Sequence, residues 1–338
     1  MERTLHRDIT VIGASAGGIG PLRELFAALP KDYPAAVFVV LHVSPESRSV
    51  LPDILNRTSA MPVAVARTGA PLRSGTVSIA PPNLHLVLEG DRMLLMHGPR
   101  ENRHRPAIDV LFRSAAVAYG PRVTGVVLSG VQDDGAAGLW AIKRRGGAAV
   151  VQDPDDAEFP DMPRNAIGVV DVDASVPARD IAATLTRIAR EIVREPETPV
   201  PANMEKEVRM ARKQSSMEEL DTIGQRVPFT CPECGGALWK MDNGGPRFRC
   251  HNGHAYSLNT LADEQAIQVE AALWAGLRRL EESERIALKM AEYAQARGNQ
   301  RSAEYHAEIA RTNAHHAATL RELLAEKTSA APEKVVDE

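Results

Sequence analysis

Short apolar runs alternate with helix-like segments from residue 8 to about residue 195, and this alternation limits the folds open to the chain. The runs are rich in β-branched residues and are bounded by glycine, proline or aspartate, as in "DITVIGA", "AAVFVVLHV" and "VTGVVLSG". The segments between them, such as "GGIGPLRELFAALP", repeat apolar residues at helical spacing. Continuously apolar strands that alternate with helices indicate an α/β fold, a doubly wound, mostly parallel sheet with helices on both faces.

Composition divides the 338-residue chain into five parts. Residues 1–195 carry the α/β pattern, and residues 196–227, which begin rich in proline and charge, predict a linker in which residues 204–213 are compatible with a helix. Residues 228–257 hold all three cysteines and predict a small zinc-ribbon-like module. Residues 258–327 carry a helical pattern in two arms joined by "RGNQ", which predicts a C-terminal helical hairpin, and residues 328–338 predict a frayed tail.

The overall charge and hydropathy exclude several classes of protein. A formal net charge of -4 argues against a nucleic-acid binder that depends on bulk electrostatic attraction. No segment approaches the roughly 20 consecutive apolar residues that a membrane helix needs, so no membrane insertion is expected. The N-terminal residues lack the long apolar centre of a signal peptide. We therefore expect a cytoplasmic protein.

The first strand ends in "VIGASAGGIG", which has three interpretations. A dinucleotide-binding loop would need glycine at Ser15, and a Walker loop would need a Gly-Lys-Ser/Thr sequence that does not follow. The stretch from Gly13 to Gly17 instead reads G-x-S-x-G between a strand and a helix, which is the setting of a serine nucleophile. A plain strand-to-helix turn is about equally compatible with these letters alone.

A nucleophilic serine needs a base and an orienting acid, and two other strand ends offer them. His42 closes the strand "VFVVLHV", and Asp133 and Asp134 follow the strand "VVLSG". Because parallel strands bring their carboxyl ends to one edge, we expect these side chains near Ser15. The alternatives are a histidine that bonds a neighbouring carbonyl and an aspartate that caps the following helix.

Six blocks in collinear order over residues 8–190 resemble the catalytic domain of chemotaxis protein-glutamate methylesterases of the CheB type. They are "VIGASAGGIGPLRELFAALP", "VVLHVSP", "IAPPNLHL", "RPAIDVLFRSAA", "GVVLSGVQDDGAAGL" and "MPRNAI". The resemblance implies that Ser15 is the nucleophile, His42 the general base and Asp134 the orienting acid. It also implies hydrolysis of glutamate methyl esters on chemoreceptors, and deamidation of receptor glutamine in some members.

The resemblance also suggests the residues that surround the reacting ester. We expect backbone N–H groups at Ala16 and in the Gly130–Val131 segment to bind the oxyanion. Arg105 matches a motif arginine, for which a substrate contact and a surface salt bridge are the two alternatives. Family members commonly have threonine after the serine and "GMGxDG" before the third helix, whereas this chain has Ala16 and "GVQDDG". Since the first strand begins at about residue 8, we expect no receiver domain ahead of the esterase.

The Cys/His segment "CPECGGALWKMDNGGPRFRCHNGH" predicts a structural zinc site. Cys231 and Cys234 form a C-x₂-C pair, and Cys250 follows after a spacer of fifteen residues. Three thiolates and one imidazole suit tetrahedral Zn²⁺, with His254 as the expected fourth ligand and His251 as the alternative. Four protein ligands would make the ion structural and leave catalysis without a cofactor. The alternative is a metal-free hairpin with reduced thiols.

The helical tail allows several packing partners. Its apolar residues recur at helical spacing, so we expect the hairpin to pack on itself, on the ribbon or on a second copy, or to bind a partner protein. His306, His315 and His316 are expected at the helix surface.

Two functions follow from these patterns. The first is a serine esterase that acts on methylated chemoreceptors or on another methylated protein. The alternative is a weakly active or inactive esterase fold that serves as a binding module in a signalling pathway.

Overall fold

The computed structural model describes residues 5–194, 199–211, 216–242 and 244–329. The chain forms two compact units, Met1–Leu261 and Ala262–Glu338. Within the described ranges, no helix combines the length and apolar character that crossing a bilayer requires.

The first unit begins with eleven strands and six helices in chain order. The strands are β1 Leu5–His6, β2 Ile9–Ala14, β3 Ala36–Leu41, β4 Val63–Val65, β5 Val77–Ile79, β6 His85–Glu89, β7 Arg92–Met96, β8 Val123–Val127, β9 Ala148–Gln152, β10 Ala174–Val176 and β11 Ile192–Val193. The helices are α1 Ile19–Ala28, α2 Leu51–Leu55, α3 Ile108–Tyr119, α4 Ala136–Arg144, α5 Asp161–Val169 and α6 Ala178–Ile188, with a 3₁₀ turn at Gly120–Arg122.

Seven of these strands form the central sheet in the order β10-β9-β8-β2-β3-β5-β4, and every neighbouring pair is parallel. Strand β2 is buried along its whole length, and its residues alternate between two cores. Val11 packs with α3, α4 and α5 on one face, whereas Ile12 packs with α1, α2 and α6 on the other. The predicted doubly wound α/β fold is confirmed.

The chain adds strands first on one side of β2 and then on the other. The chain runs outward from β2 through β3 to β4 and β5, then returns to β8 on the other side of β2. In open α/β sheets, such a switch point leaves a crevice beyond the carboxyl ends of the strands, where ligands bind. The ends of β2, β3 and β8 therefore meet at one crevice.

The segment expected to be a linker contains a helix close to the range that the sequence allowed, and it packs against the rest of the unit. Its described residues form α7 Ala202–Met210 and α8 Met217–Asp221 and the start of the next strand. Met204, Glu207 and Val208 of α7 are buried. Glu207 pairs with Arg247 further along the chain at 3.0 Å, so this stretch is held against the rest of the unit.

A four-stranded antiparallel sheet, called the ribbon below, completes the first unit. It consists of β12 Gly224–Thr230, β13 Ala237–Asp242, β14 Pro246–Cys250 and β15 Ala255–Ser257 in sequential order. Its core contains Leu238, Phe248 and Tyr256. The ribbon begins at residue 224, four residues before the predicted start at residue 228.

The second unit is the predicted helical hairpin, which is confirmed. Helix α9 Leu258–Ala296 begins at the end of the ribbon, and α10 Gln300–Ser329 follows after a turn in which Gly298 has φ 71°. The two helices run antiparallel, since Asn313 bonds Ser283 and Arg321 pairs with Glu281. Alanines spaced seven residues apart are buried where the two helices meet: Ala287 and Ala294 on α9, and Ala303, Ala310 and Ala317 on α10. The described part of the expected tail, residues 328–329, still belongs to α10, and residues 330–338 lie outside the described ranges.

Candidate active site

Ser15, His42 and Asp134 follow three adjacent strands of the central sheet. Ser15 comes directly after β2, and its N–H donates to the carbonyl of Ser129 at 3.0 Å. His42 comes directly after β3, and its N–H donates to the carbonyl of Ala14 at 3.1 Å. Asp134 lies in the loop between β8 and α4. The strand ends thus hold the backbones of Ser15 and His42 in place, and Asp134 reaches the same edge of the sheet from its loop.

The three side chains form one continuous hydrogen-bonded chain. Nδ1 of His42 lies 3.2 Å from Oγ of Ser15, and Nε2 lies 2.9 Å from Oδ2 of Asp134. The side chains of His42 and Asp134 are only 5% and 2% exposed. When Nε2–H donates to the carboxylate, Nδ1 carries the lone pair that can accept the proton of the Ser15 hydroxyl. This arrangement can activate a serine for nucleophilic attack.

Asp134 is held as a carboxylate by its donors. Its oxygens accept hydrogen bonds from the N–H groups of Ile108 and Asp109 at 2.7 and 3.2 Å and from Nδ2 of Asn102 at 3.0 Å. Burial alone would raise the pKa of Asp134. The hydrogen bond and charge of His42, with the N–H of Ile108, outweigh burial and lower this pKa to about 2.

A second histidine covers the imidazole of His42. The rings of His42 and His104 are stacked, with centroids 3.5 Å apart and planes at 8° to each other. Burial, followed by the neighbouring His42, lowers the pKa of His104 to about 3. His104 is therefore a neutral ring at neutral pH, and it places a flat surface on His42 without adding charge.

Asp109 performs the capping role that the sequence left open for Asp133 or Asp134. Its Oδ1 accepts from the N–H groups of Gly135 and Gly138 at the start of α4, at 3.1 and 2.6 Å. Burial and the nearby charge of Asp134 raise the pKa of Asp109 to about 7. Asn102 separates the two carboxylates, because its Nδ2 donates to both at 3.0 Å.

One of the expected oxyanion donors is occupied by a hydrogen bond within the protein. The N–H of Gly130 donates to the carbonyl of Phe159 at 2.9 Å, so this donor is already used, and the expectation for Gly130 is corrected. A side chain at Gly130 would collide with Ser15 and Met162, which explains the glycine. The N–H groups of Ala16 and Val131 remain the candidate donors.

Two features of the surrounding turns bear on these donors. Oγ of Ser129 donates to the carbonyl of Ala16 at 2.9 Å and thereby fixes the turn after Ser15. Gln132, at the position that is glycine in the family pattern quoted above, adopts a left-handed backbone with φ 67°. The loop therefore keeps a glycine-like conformation at the cost of strain in a non-glycine residue.

Arg105 forms hydrogen bonds within the protein in place of the surface salt bridge that was one of its two alternatives. Its Nε and Nη2 donate to Oδ1 of Asn83 at 2.9 and 2.7 Å, and its Nη1 donates to the carbonyl of Gly98 at 2.7 Å. The guanidinium thus fixes two loops through tertiary contacts that the motif does not reveal, and the substrate contact stays a prediction.

The structure brings Cys231, Cys234, Cys250 and His254 together, with their ligand atoms within 4.8 Å of one another. The sulfurs of Cys234 and Cys250 are 3.7 Å apart, and Nδ1 of His254 lies 3.6 Å from the sulfurs of Cys231 and Cys250. A tetrahedral site with Zn–S bonds of about 2.3 Å has ligand–ligand edges of about 3.8 Å. The four groups therefore fit a zinc ion, and His251 is not among them.

The ribbon packs beside the candidate active site, and the sequence did not predict this contact. The backbone N–H of Ser257 donates to Oδ1 of Asn102 at 3.0 Å, and Oγ of Ser257 donates to Asp133 at 2.9 Å. Asn102 and His104 lie in "ENRHRPAID", close before α3. The available signal was this cluster of polar residues just ahead of a helix whose first N–H groups bind Asp134.

Comparisons with known proteins agree with this geometry. Residues 10–185 match the family model described as CheB methylesterase. The chain is 38% identical over 185 residues to a putative protein-glutamate methylesterase/protein-glutamine glutaminase of Leptospira interrogans, which covers 54% of this chain and 96% of that protein. It is 35% identical over 188 residues to a protein-glutamate methylesterase/protein-glutamine glutaminase of Symbiobacterium thermophilum, covering 55% of this chain and 52% of that protein.

A solved structure is also similar. The crystal structure of the Thermotoga maritima CheB methylesterase catalytic domain aligns with a TM-score of 0.52 and 32% sequence identity. The alignment covers 53% of this chain and 97% of that one.

Proposed function

The chain belongs to the CheB methylesterase family, and we propose that it hydrolyses methyl esters of glutamate side chains in chemotaxis receptors. The observation that carries the proposal is the continuous chain of hydrogen bonds from Ser15 through His42 to Asp134. Relatives are named as both methylesterases and glutaminases, so the same site is proposed to deamidate receptor glutamine. The alternative of an inactive binding module is not favoured, because these three side chains are assembled.

In the proposed reaction, Oγ of Ser15 attacks the ester carbonyl carbon while its proton passes to Nδ1 of His42. Asp134 stabilises the imidazolium through Nε2 and keeps the ring oriented. The tetrahedral intermediate then breaks its bond to the methoxy oxygen, which takes the proton from His42 and leaves as methanol. A water molecule attacks the acyl-enzyme in the same way, releasing the glutamate side chain and restoring the Ser15 hydroxyl. With glutamine as substrate, the leaving group is ammonia.

The backbone around Ser15 is proposed to stabilise the oxyanion. The N–H groups of Ala16 and Val131 are the two donors, and α1 begins at Ile19, close behind the serine. A single oxyanion donor typically contributes about 10²–10³ in kcat. The absence of a threonine hydroxyl at Ala16 leaves this task to the backbone.

We further propose that Cys231, Cys234, Cys250 and His254 bind a structural zinc ion. Such an ion would crosslink the β12–β13 turn to the loop after β14 and would leave no coordination position for a substrate. The thiols would have to stay reduced, which supports a cytoplasmic location for the protein.

Methanol release from methylated chemoreceptor cytoplasmic domains tests the proposed function. Receptor domains carrying labelled methyl groups are incubated with the full chain and with Ser15→Ala, and the volatile product is counted. The wild-type chain should release methanol, and Ser15→Ala should reduce the release by at least about 10³-fold. Equal release by the two proteins would rule out Ser15 as the nucleophile.

A further inference from the structure

We propose that the ribbon is a positioning element of the esterase. In this proposal Ser257 of the ribbon fixes the side chain of Asn102, and Asn102 in turn fixes the carboxylate of Asp134. The proposal depends on the function proposed above only in that Asp134 orients His42. It assigns to the ribbon a role in the chemistry that begins at Ser15.

Asn102 is fully engaged between the ribbon and two carboxylates. Its side chain accepts at Oδ1 from the N–H of Ser257 and donates through Nδ2 to Asp134 and Asp109, each at 3.0 Å. Its own N–H donates to the carbonyl of Ala255 in β15 at 2.8 Å. Asn102 is 3% exposed and has a left-handed backbone with φ 48°. An amide in this position has its orientation set by the ribbon, since only its oxygen can face an N–H donor.

The residue before Asn102 makes the second attachment. Glu101 is buried and binds Arg113 of α3 at 2.7 Å and Arg249 of β14 at 2.6 Å. Arg247 of β14 pairs with Glu207 of α7 at 3.0 Å. Separating the ribbon from the esterase would take Arg249 from Glu101 and Arg247 from Glu207, which is strongly unfavourable for buried charges. The ribbon is therefore held in one position against the loop that carries Asn102.

Each oxygen of Asp134 has a distinct task. Oδ2 accepts from His42 and from the N–H of Ile108, whereas Oδ1 accepts from Asn102 and from the N–H of Asp109. Without Asn102, Oδ1 of Asp134 keeps only the N–H of Asp109 among these two donors, and no side-chain amide separates the carboxylates of Asp134 and Asp109. The carboxylate then has fewer restraints on its rotation, and the orientation of the His42 ring is less sharply defined.

The proposed metal ligands are continuous with the residues that hold this loop. Cys250 directly follows Arg249, and His254 directly precedes Ala255. The loop between the two ligands is itself bonded to the cluster, because Arg249 donates to the carbonyl of Gly253 at 2.9 Å. A zinc ion that fixes Cys250 and His254 would therefore also fix the groups that bind Glu101 and Asn102.

The test compares two substitutions at Ser257 in the full chain. Ser257→Pro removes the N–H that binds Asn102, and a proline is acceptable at this end of an edge strand. Ser257→Ala keeps that N–H but removes the hydroxyl, so it is the matched control. Asn102→Ala is made in the wild type and in both variants. The maximal rate at which a fluorophosphonate probe phosphonylates Ser15, with release of fluoride, is measured together with the probe concentration that gives half of that rate.

We expect Ser257→Pro and Asn102→Ala to slow the maximal rate of Ser15 phosphonylation by about 10- to 100-fold, the size of one lost hydrogen bond to a charged group. The half-saturating probe concentration should stay unchanged, and Ser257→Ala should be phosphonylated at nearly the wild-type rate. In the Asn102→Ala background, Ser257→Pro and Ser257→Ala should be equal. Equal rates for Ser257→Pro and Ser257→Ala in the wild-type background would overturn the proposal.

A second readout separates this proposal from the proposed function. The low-field proton NMR signal of the His42 Nε2–H that faces Asp134 reports orientation without any turnover. It should persist in Ser257→Ala and shift or disappear in Asn102→Ala and Ser257→Pro. A wild-type chain that resists the probe would refute the proposed function, and the NMR signal would still decide this inference. If Ser257→Pro does not fold, an unchanged signal in Asn102→Ala overturns it.

Discussion

Asp133 and Asp134 are neighbours in the chain, yet their carboxylates face different parts of the molecule. Asp134 accepts from Nε2 of His42 at 2.9 Å, whereas Asp133 accepts from Oγ of Ser257 at 2.9 Å. The strand ends alone left open which of the two aspartates orients His42, and the resemblance assigned this role to Asp134. The structure directs the Asp134 carboxylate to His42 and the Asp133 carboxylate to Ser257, and substitutions can measure this difference.

Asparagine substitutions test this division. Asp134→Asn should lower the rate of methanol release by about 10⁴-fold, because an amide at this position removes the charge that stabilises the His42 imidazolium and favours the wrong tautomer. Asp133→Asn, the matched control, should stay within a fewfold of the wild type because it does not contact His42. Single-turnover methanol release from a methylated receptor domain provides the measurement. Similar losses in both variants would contradict the assignment of Asp134.

The stacked His104 predicts a pH dependence of stability. The pKa of His104 falls from an ordinary value of 6.5 to about 3 in the folded protein, chiefly through burial. The unfolded chain therefore takes up a proton as the pH falls through 6.5, while the folded chain does so only near 3. The folded state loses stability over that interval.

His104→Phe tests this dependence, since phenylalanine keeps a ring against His42 but cannot be protonated. The urea concentration at the midpoint of unfolding should decrease for the wild type as the pH is lowered from 7.5 to 5, and it should decrease less for His104→Phe. Some slope should remain in the variant, because burial also lowers the pKa of His85. Identical slopes for the two proteins would show that His104 does not carry the effect.

Glu101 predicts a second pH dependence with a different range. Burial alone would raise the pKa of Glu101, but the charges of Arg113 and Arg249 outweigh it and hold this pKa well below the ordinary 4.5. Its contribution to stability is therefore fully present above about pH 4.5 and is lost as the pH falls toward the lower folded value.

Glu101→Gln should reduce the free energy of unfolding by about 3–5 kcal/mol at pH 7, because the buried side chains of Arg113 and Arg249 lose the negative charge of Glu101. The difference from the wild type should narrow below about pH 4.5. Denaturant unfolding at both pH values provides the measurement, with Glu282→Gln as the control, since Glu282 forms an exposed pair with Arg279. A Glu101→Gln chain as stable as the wild type at pH 7 would be inconsistent with this account.

Metal removal tests the ribbon. We expect the purified chain to contain zinc, and we expect a chelator to remove it, increase the exposure of the buried Trp239 and slow probe labelling of Ser15. His254→Ala should lose zinc, whereas His251→Ala should retain it because His251 lies outside the four-ligand group. Elemental analysis and tryptophan fluorescence report on the ion independently of activity. Zinc retained equally by both variants would refute the assignment of His254.

The central sheet could be predicted from sequence because its strands are buried on both faces. Strands β2, β3 and β8 are buried along their lengths and mostly apolar, and a polar residue follows each within two positions, so both their type and the edge where they meet follow from local pattern. The positions of Ser15, His42 and Asp134 follow from those ends. The helical hairpin is equally readable from its repeat.

The remaining features depend on contacts between distant parts of the chain. Arg105 and Gly130 carry motif letters, but their hydrogen bonds go to Asn83 and Phe159, more than twenty residues away in each case. The expected linker contains Glu207, a charged residue in a polar stretch that is buried beside Arg247 and Arg113 from distant parts of the chain. No local period or composition reveals such pairs.

The most direct test of the account is covalent labelling of the full chain with a fluorophosphonate, followed by peptide mapping. The account predicts one label, on the hydroxyl of Ser15, and its loss in His42→Ala, because Nδ1 of His42 is the base that accepts the serine proton. A well-folded wild-type chain without a label at Ser15, or one labelled equally in His42→Ala, would contradict the account.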